Sequence, residues 1–385
     1  MNPASENESK AKVEVNIPPS PSLLTSFLLE GLLKIRSKCP HEVNAKCLNK
    51  VWSELEDKLK NKQLTFRFVG NDMKSVNKVL NLCKDARASS SEKEKKGLFN
   101  VFIECLKKLE LKEISVSHKI SSDMQLIGSE EFLKDSSKAK QRGYSFQVMK
   151  TDRYQGVASL ELGLIKEQVT LYSDLPATYL FFLGLTSSLI ADVNREDFYF
   201  LLYDTSLMPQ ALERPDVYTN VKDDAVKELF ETISTLKNWS EEVVTLSILF
   251  NAELIKEINN RELGSVVSFR LLRIRLEGNT YKVYNDVPLN IYVKQKIYEN
   301  LDLVEALHES IKDLTPAISR FLRGDDPTGE GQHAYLALKH LYAFATTGNY
   351  SFLTKYYREL MEAYKASGGV SGWYLNIASR FFTKP

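Results

Sequence analysis

The sequence predicts an α+β fold: a mixed helical and β N-terminal and central region, followed by a C-terminal helical bundle. Three observations carry that reading. From Leu301 onward apolar residues recur every three to four positions, in runs separated by GDDPTGEG, TGN and SGG. That is the helical period, interrupted by the glycines that end helices cheaply. In SVVSFRLLRIRLEGNTYKVYNDVPLNIY, residues 265–292, apolar and polar residues alternate around Gly278-Asn279, the period and turn of a β-hairpin. Upstream, helical stripes are interleaved with short strand-like runs such as KEISVSHKI and DFYFLLYDTS.

In chain order, residues 1–20 read as a disordered polar tail ending in the stiff PPSPS. SLLTSFLLEGLLKIRSK follows with a stripe of Leu24, Phe27, Leu28, Gly31, Leu32 and Ile35; Ser22 is its N-cap and Pro40 closes it. NAKCLNKVWSELEDKLKNK is a second amphipathic helix, TFRFVG a short strand, and residues 76–86 a helix. ASSSEKEKKG is a polar loop before the helix LFNVFIECLKKLEL and the strand KEISVSHKI. Residues 132–154 are rich in Lys and Arg and read as a mobile basic loop leading into a strand. VASLELGLIKEQVTLY fits strand and helix equally. LPATYLFFLGLTSSLIADV reads as a core helix starting near Pro176, too short to span a bilayer, which needs roughly 20 apolar residues. DFYFLLYDTS is a buried strand. DDAVKELFETISTLKNW and SEEVVTLSILFNAELIKEINN are two further helices, the second starting at Ser240 with Glu241 and Glu242 in its first turn. Four helices are expected after the hairpin, over 301–322, 332–346, 350–366 and 372–382. Within them Tyr335, Leu338, Leu341 and Tyr342, and Phe352, Tyr356, Leu360 and Tyr364, form core-packing stripes. The expected organisation is a tail (1–20), a basic mixed region (21–150), a central α+β region (151–300) and the bundle (301–385).

The 385 residues are 43% hydrophobic and 26% charged, ordinary values for a globular chain. The polar N-terminus lacks the apolar core of a signal peptide, so a cytoplasmic location and no membrane contact are expected. A net charge of +1 conceals an asymmetry. Residues 1–150 carry 27 Lys and Arg against 19 Asp and Glu, whereas residues 151–262 carry 9 against 19. A basic N-terminal part suits a phosphate backbone, where neutralised phosphates release counterions; the acidic middle suits basic regions or a basic partner.

No phosphate-binding glycine loop, nucleophile elbow or H-E-x-x-H motif is present, and the five histidines are scattered. Cys39, Cys47, Cys83 and Cys105 lack zinc spacing and read as buried thiols, a disulfide remaining open for a hyperthermophilic source. Asp325, Asp326, Glu330 and His333 crowd one segment and resemble a metal or acid–base cluster; a metal-dependent nuclease built on the three carboxylates is the enzymatic alternative. Asp-Pro-Thr-Gly is also a turn signature with Pro327 at its second position, and an interhelical break is the favoured reading. No cofactor is expected. The candidate nucleic-acid contacts are basic. Lys138, Lys140 and Arg142 lie in the basic loop. Arg273 and Arg275 share the outward face of one strand about 7 Å apart, a spacing that can track phosphates with forked hydrogen bonds, and Arg270 lies three residues before Arg273. An ion-paired strand face is the competing reading. Arg320, Arg323 and Lys339 flank the GDDPTGEG loop.

FRLLRIRLEGNTYKVYNDVPLNIY, followed by AYLALKHLYAFATTGNYSFLTKYYRELMEAYK, resembles the large subunit of archaeal subtype I-A CRISPR surveillance complexes (Cascade). LPATYLFFLGLTSSLIADVNREDFYFLLYD resembles the central part of that family, and the similarity of pattern covers residues 157–366. The resemblance implies a non-enzymatic subunit of an antiviral ribonucleoprotein. Such a subunit contacts guide RNA and target DNA, helps read the short motif beside the target, and recruits a helicase–nuclease alongside the other Cascade subunits. Base pairing reads the rest of the sequence in guided systems. A protein-interaction scaffold without nucleic acid is the main alternative.

Overall fold

The computed structural model describes residues 12–17, 22–40, 43–62, 66–83, 97–109, 111, 113–120, 124–154, 170–292, 294, 296–369 and 372–380. It has the expected α+β class, with two four-stranded sheets among the described residues and a helical C-terminal part. The chain divides into two compact units, one of Met1–Thr219 with Phe269–Asp286, the other of Asn220–Ser268 with Val287–Pro385.

In the first unit, β1 (Lys12–Asn16) precedes α1 (Leu23–Lys38), α2 (Ala45–Lys62), α3 (Asp72–Leu82) and α4 (Leu98–Lys108). Then come β2 (Glu113–Ile120), β3 (Met124–Gly128), α5 (Glu130–Lys134), α6 (Ser136–Arg142), a 3-10 turn at Gln147–Tyr154, β4 (Thr170–Ser173) and α7 (Leu175–Ser188). The strands β1, β2, β3 and β4 lie in that order, parallel, antiparallel and parallel at successive pairs. The second sheet runs β5 (Leu189–Val193), β6 (Asp197–Tyr203), β7 (Val266–Glu277) and β8 (Thr280–Tyr292). Between β6 and β7 lie α8 (Met208–Glu213), α9 (Pro215–Leu236), α10 (Glu241–Leu249) and α11 (Ala252–Asn260).

α1 and α7 are buried on nearly every side, so neither shows a strong polar face, and the two pack on each other. Their crossing is closed by glycines. A Cβ on Gly184 would lie 1.7 Å from the Phe27 carbonyl oxygen, and one on Gly31 would lie 2.1 Å from that of Leu180. Aromatic rings fill the space around them. Phe182 meets Phe102, Phe146 and Phe181 edge-on, and Phe66 stacks on Tyr281 at 4.8 Å. Each buried ring contributes roughly 1.5–3 kcal/mol by leaving water, and each edge-on pair about 0.5–1.5 kcal/mol more.

The second unit contains α10 and α11, then α12 (Leu301–Leu322), α13 (Glu330–Thr347), α14 (Ser351–Ala366) and α15 (Trp373–Arg380). Its core takes Leu307, Ile311, Leu314 and Ile318 from α12, Leu338 and Leu341 from α13, and Tyr356 and Leu360 from α14, all buried. Tyr335, Tyr342, Phe352 and Tyr364 flank these stripes half-buried. No helix among the described residues is long and apolar enough to cross a membrane.

Several expectations are corrected. Lys12–Asn16, assigned to the disordered tail, forms β1, because Val13 and Val15 pack on the core while their backbone pairs with β2. Residues 66–69 are irregular instead of a strand. The basic loop at 132–154 is folded into the end of α5, α6 and the 3-10 turn. The helix expected through Val193 ends at Ser188, and β5 begins at Leu189. SEEVVTLSILFNAELIKEINN breaks into α10 and α11, since the Asn251 side chain caps α11 by accepting from Leu254 N at 2.8 Å. The four cysteines form two disulfides, Cys39–Cys47 and Cys83–Cys105, instead of buried thiols. Sequence spacing could not show that the ends of α3 and α4 meet. Residues 1–11, 88–96 and 157–169 lie outside the described residues.

Candidate nucleic-acid interface

The segment from Asp325 to His333 is engaged in building a helix junction. Asp326 caps α13, its two carboxylate oxygens accepting from Gly331 N at 3.1 Å and Gln332 N at 2.8 Å. That satisfies backbone donors which otherwise have no partner in the first turn. Gly324 and Gly329 take positive φ at the turn, the left-handed conformation that glycine tolerates. Glu330 accepts from Arg320 Nη2 at 3.1 Å and from the buried Tyr374 hydroxyl at 2.7 Å. His333 Nδ1 lies 2.8 Å from Glu359. Each group is aimed at a different partner, and no cluster able to hold a metal ion occurs among the described residues. The interhelical break is the reading that the geometry supports.

The β7 arginines are where the sequence puts them and are not available as a row. Register pairs Arg273 with Tyr199 and Arg275 with Asp197, so both lie on one face. Arg270 has the opposite parity and lies on the other. All three meet carboxylates. Arg270 is bonded to Asp286 at 2.5 Å, Arg273 to Asp197 at 2.9 Å and Arg275 to Glu196 at 3.4 Å. Arg273 and Arg275 also sit 5.7 and 5.8 Å from the centre of the Tyr284 ring. Burial works against the Arg273 charge, but the Asp197 bond and Tyr199 outweigh it and stabilise the charged form. Burial in turn pushes the Tyr199 hydroxyl up to about 12. The ion-paired alternative describes this strand face.

Lys138, Lys140 and Arg142 lie on α6. Lys138 is paired with Asp135 at 2.8 Å; Lys140 and Arg142 are exposed and meet no carboxylate among the described residues. Two residues that sequence reasoning missed join them. Lys74 and Lys78 stand one turn apart on α3. Lys78 Nζ donates to the carbonyls of Gln141 at 2.8 Å and Gly143 at 3.0 Å, a cation at the negative end of α6. Lys74 is exposed and meets no carboxylate among the described residues. The two segments are stitched together beneath: Ser75 Oγ donates to Ser145 O at 3.0 Å, and Gln147 N donates to Asp72 at 2.8 Å. Asp72, the first residue of α3, is buried. Burial pushes its carboxyl up to about 6, against the pull of the Val69 and Gln147 N–H groups and of Lys150. Lys74-x-x-x-Lys78 is visible in the sequence as two cations on one helix face; its proximity to α6 is not.

The remaining candidates belong to the second unit. Arg320 is held by Glu330, Arg323 is exposed at the end of α12, and Lys339 lies over the Tyr335 ring with Glu242 at 3.7 Å. The basic candidates therefore fall in three groups, on α3 and α6, on β7, and on α12 and α13, and Lys78 ties α3 to the end of α6.

No family model and no solved structure matches the chain. It is similar to an uncharacterized protein of Archaeoglobus fulgidus, 24% identical over 394 residues, an alignment spanning 95% of this chain and 98% of that protein.

Proposed function

We propose that this chain is a non-catalytic large subunit of a CRISPR RNA-guided surveillance complex, which contacts guide RNA and target DNA and helps recruit the effector nuclease in antiviral defence. The observation that carries the reading is the α3–α6 surface, where Lys74, Lys140 and Arg142 are exposed without carboxylate partners among the described residues. Such side chains neutralise phosphates at little electrostatic cost, because no existing ion pair has to be broken first. The pattern resemblance over residues 157–366 supports the same reading. A subunit sharing its nucleic acid with partners needs only a local basic surface, in keeping with a net charge of +1.

The test is co-purification of a tagged chain from its native host, with sequencing of bound RNA and identification of bound proteins. Short repeat-derived RNAs together with backbone-forming Cas subunits are the expected result. Recovery of a clean monomer, or of protein partners without RNA, would replace this reading with that of an interaction scaffold.

A further inference from the structure

Within the second unit, α12, the start of α13 and α15 enclose a cleft of about 600 Å³ lined by Asp313, Pro316, Arg320, Glu330, Trp373 and Asn376. The volume is that of a small-ligand site, roughly 300–1,000 Å³. Its walls are organised. The Tyr374 hydroxyl holds one oxygen of Glu330, and the other holds Arg320 Nη2. Burial and the Glu330 charge keep the Tyr374 hydroxyl protonated, so it serves as a donor. Arg320 is thereby positioned by a single terminal nitrogen, and its other N–H groups meet no partner among the described residues. Trp373 is half-buried, with the Tyr374 ring stacked on it at 3.8 Å. Pro316, inside α12, lacks the N–H that would bond one turn back.

We infer that this cleft is a nucleotide site, with the base stacked on Trp373, its edge met by Asn376, and its phosphate held by Arg320. An indole and a forked guanidinium at one cleft match the two ends of a nucleotide, and Asn376 offers both donors and an acceptor to a base edge; because Glu330 pairs with Arg320 and Asp313 lines the same cleft, the phosphate is held only weakly and the base on Trp373 carries most of the affinity. Two sources share this chemistry: a nucleotide within a bound strand, or a free mononucleotide. The strand source rests on the nucleic-acid reading proposed above; the free source does not.

The experiment uses the full chain. Titration calorimetry with AMP, GMP, CMP and UMP is run beside fluorescence polarisation with labelled single-stranded RNA and DNA of about ten nucleotides. Wild type is compared with Trp373→Ala, Trp373→Phe and Arg320→Ala, each checked for an unchanged thermal midpoint. Trp373→Ala should weaken binding about tenfold or more, and Trp373→Phe should largely restore it, because stacking contributes roughly 1–3 kcal/mol per base. Saturation by mononucleotides identifies the free source. A response to oligonucleotides alone identifies the strand source. Oligonucleotide binding that is equal in wild type and Trp373→Ala, without mononucleotide binding, overturns the inference. In that case α3–α6 charge variants that still lose binding leave the nucleic-acid reading standing. Absence of binding to every probe overturns both.

Discussion

The first unit carries two basic surfaces of opposite character. On β7 every arginine of interest meets an acid; on α3 and α6 Lys74, Lys140 and Arg142 meet none among the described residues. The difference follows from the elements. On a sheet, directly opposed residues stand about 4.5–5.5 Å apart and diagonal neighbours remain within reach of long side chains. β6 and β8 therefore set Asp197 and Asp286 where arginines on β7 reach them. On a short surface helix the side chains fan into solvent, and the acid of α3, Asp72, is buried under backbone donors. Basic residue count thus says little about availability; the neighbour across the ladder decides it.

The contrast can be tested most severely by reversing charge. Replacing Lys74, Lys140 and Arg142 with Glu should weaken RNA binding about 100-fold at 0.1 M salt and lower the salt slope by roughly 2, at about 0.7 per single-strand phosphate contact. Arg275→Glu should change binding by less than about threefold, since this arginine is already neutralised. Polarisation titrations across salt would read both, and a larger loss from the strand variant would invert the comparison.

Asp72 gives the next effect. The folded chain keeps its proton to a higher pH than the unfolded chain. Its contribution is therefore full below the ordinary 3.8 and is lost as pH rises through about 6. The loss is on the order of 3 kcal/mol, at 1.36 kcal/mol per unit. Urea midpoints of wild type should fall between pH 4 and pH 7, and those of Asp72→Asn should stay nearly level. A wild-type profile that rises over this range would mean that the Val69 and Gln147 N–H groups and Lys150 hold it charged.

Arg273→Ala should cost about 2 kcal/mol of stability, because Asp197 is left buried without its partner. Asp197→Asn combined with Arg273→Leu should recover part of it. Thermal unfolding would check both, and a neutral Arg273→Ala would show the pair to be idle. Lys78→Ala should have the smallest effect, about 0.5–1 kcal/mol, from losing a cation at the end of α6.

Periodicity alone determined much of this protein. The β7–β8 hairpin, β6 and the helices of the C-terminal part follow from two-residue and three-to-four-residue repeats, with glycines at the breaks. Local side-chain capping was legible too. Ser22 accepts from Thr25 N and Ser240 accepts from Val243 N, as their positions before apolar runs require. Cysteine pairing, the fate of Lys12–Asn16 and the state of the β7 arginines were settled elsewhere. Val13 and Val15 form a strand only because β2, about a hundred residues away, offers its edge. Arg273 is occupied because β6 brings Asp197 beside it. Lys78 reaches the Gln141 and Gly143 carbonyls because α3 packs on the segment after α6. Local sequence sets which backbone state each segment prefers. Which charges are neutralised depends on residues far apart in the chain, and only tertiary packing brings those within the few ångströms over which a charge pair or hydrogen bond acts.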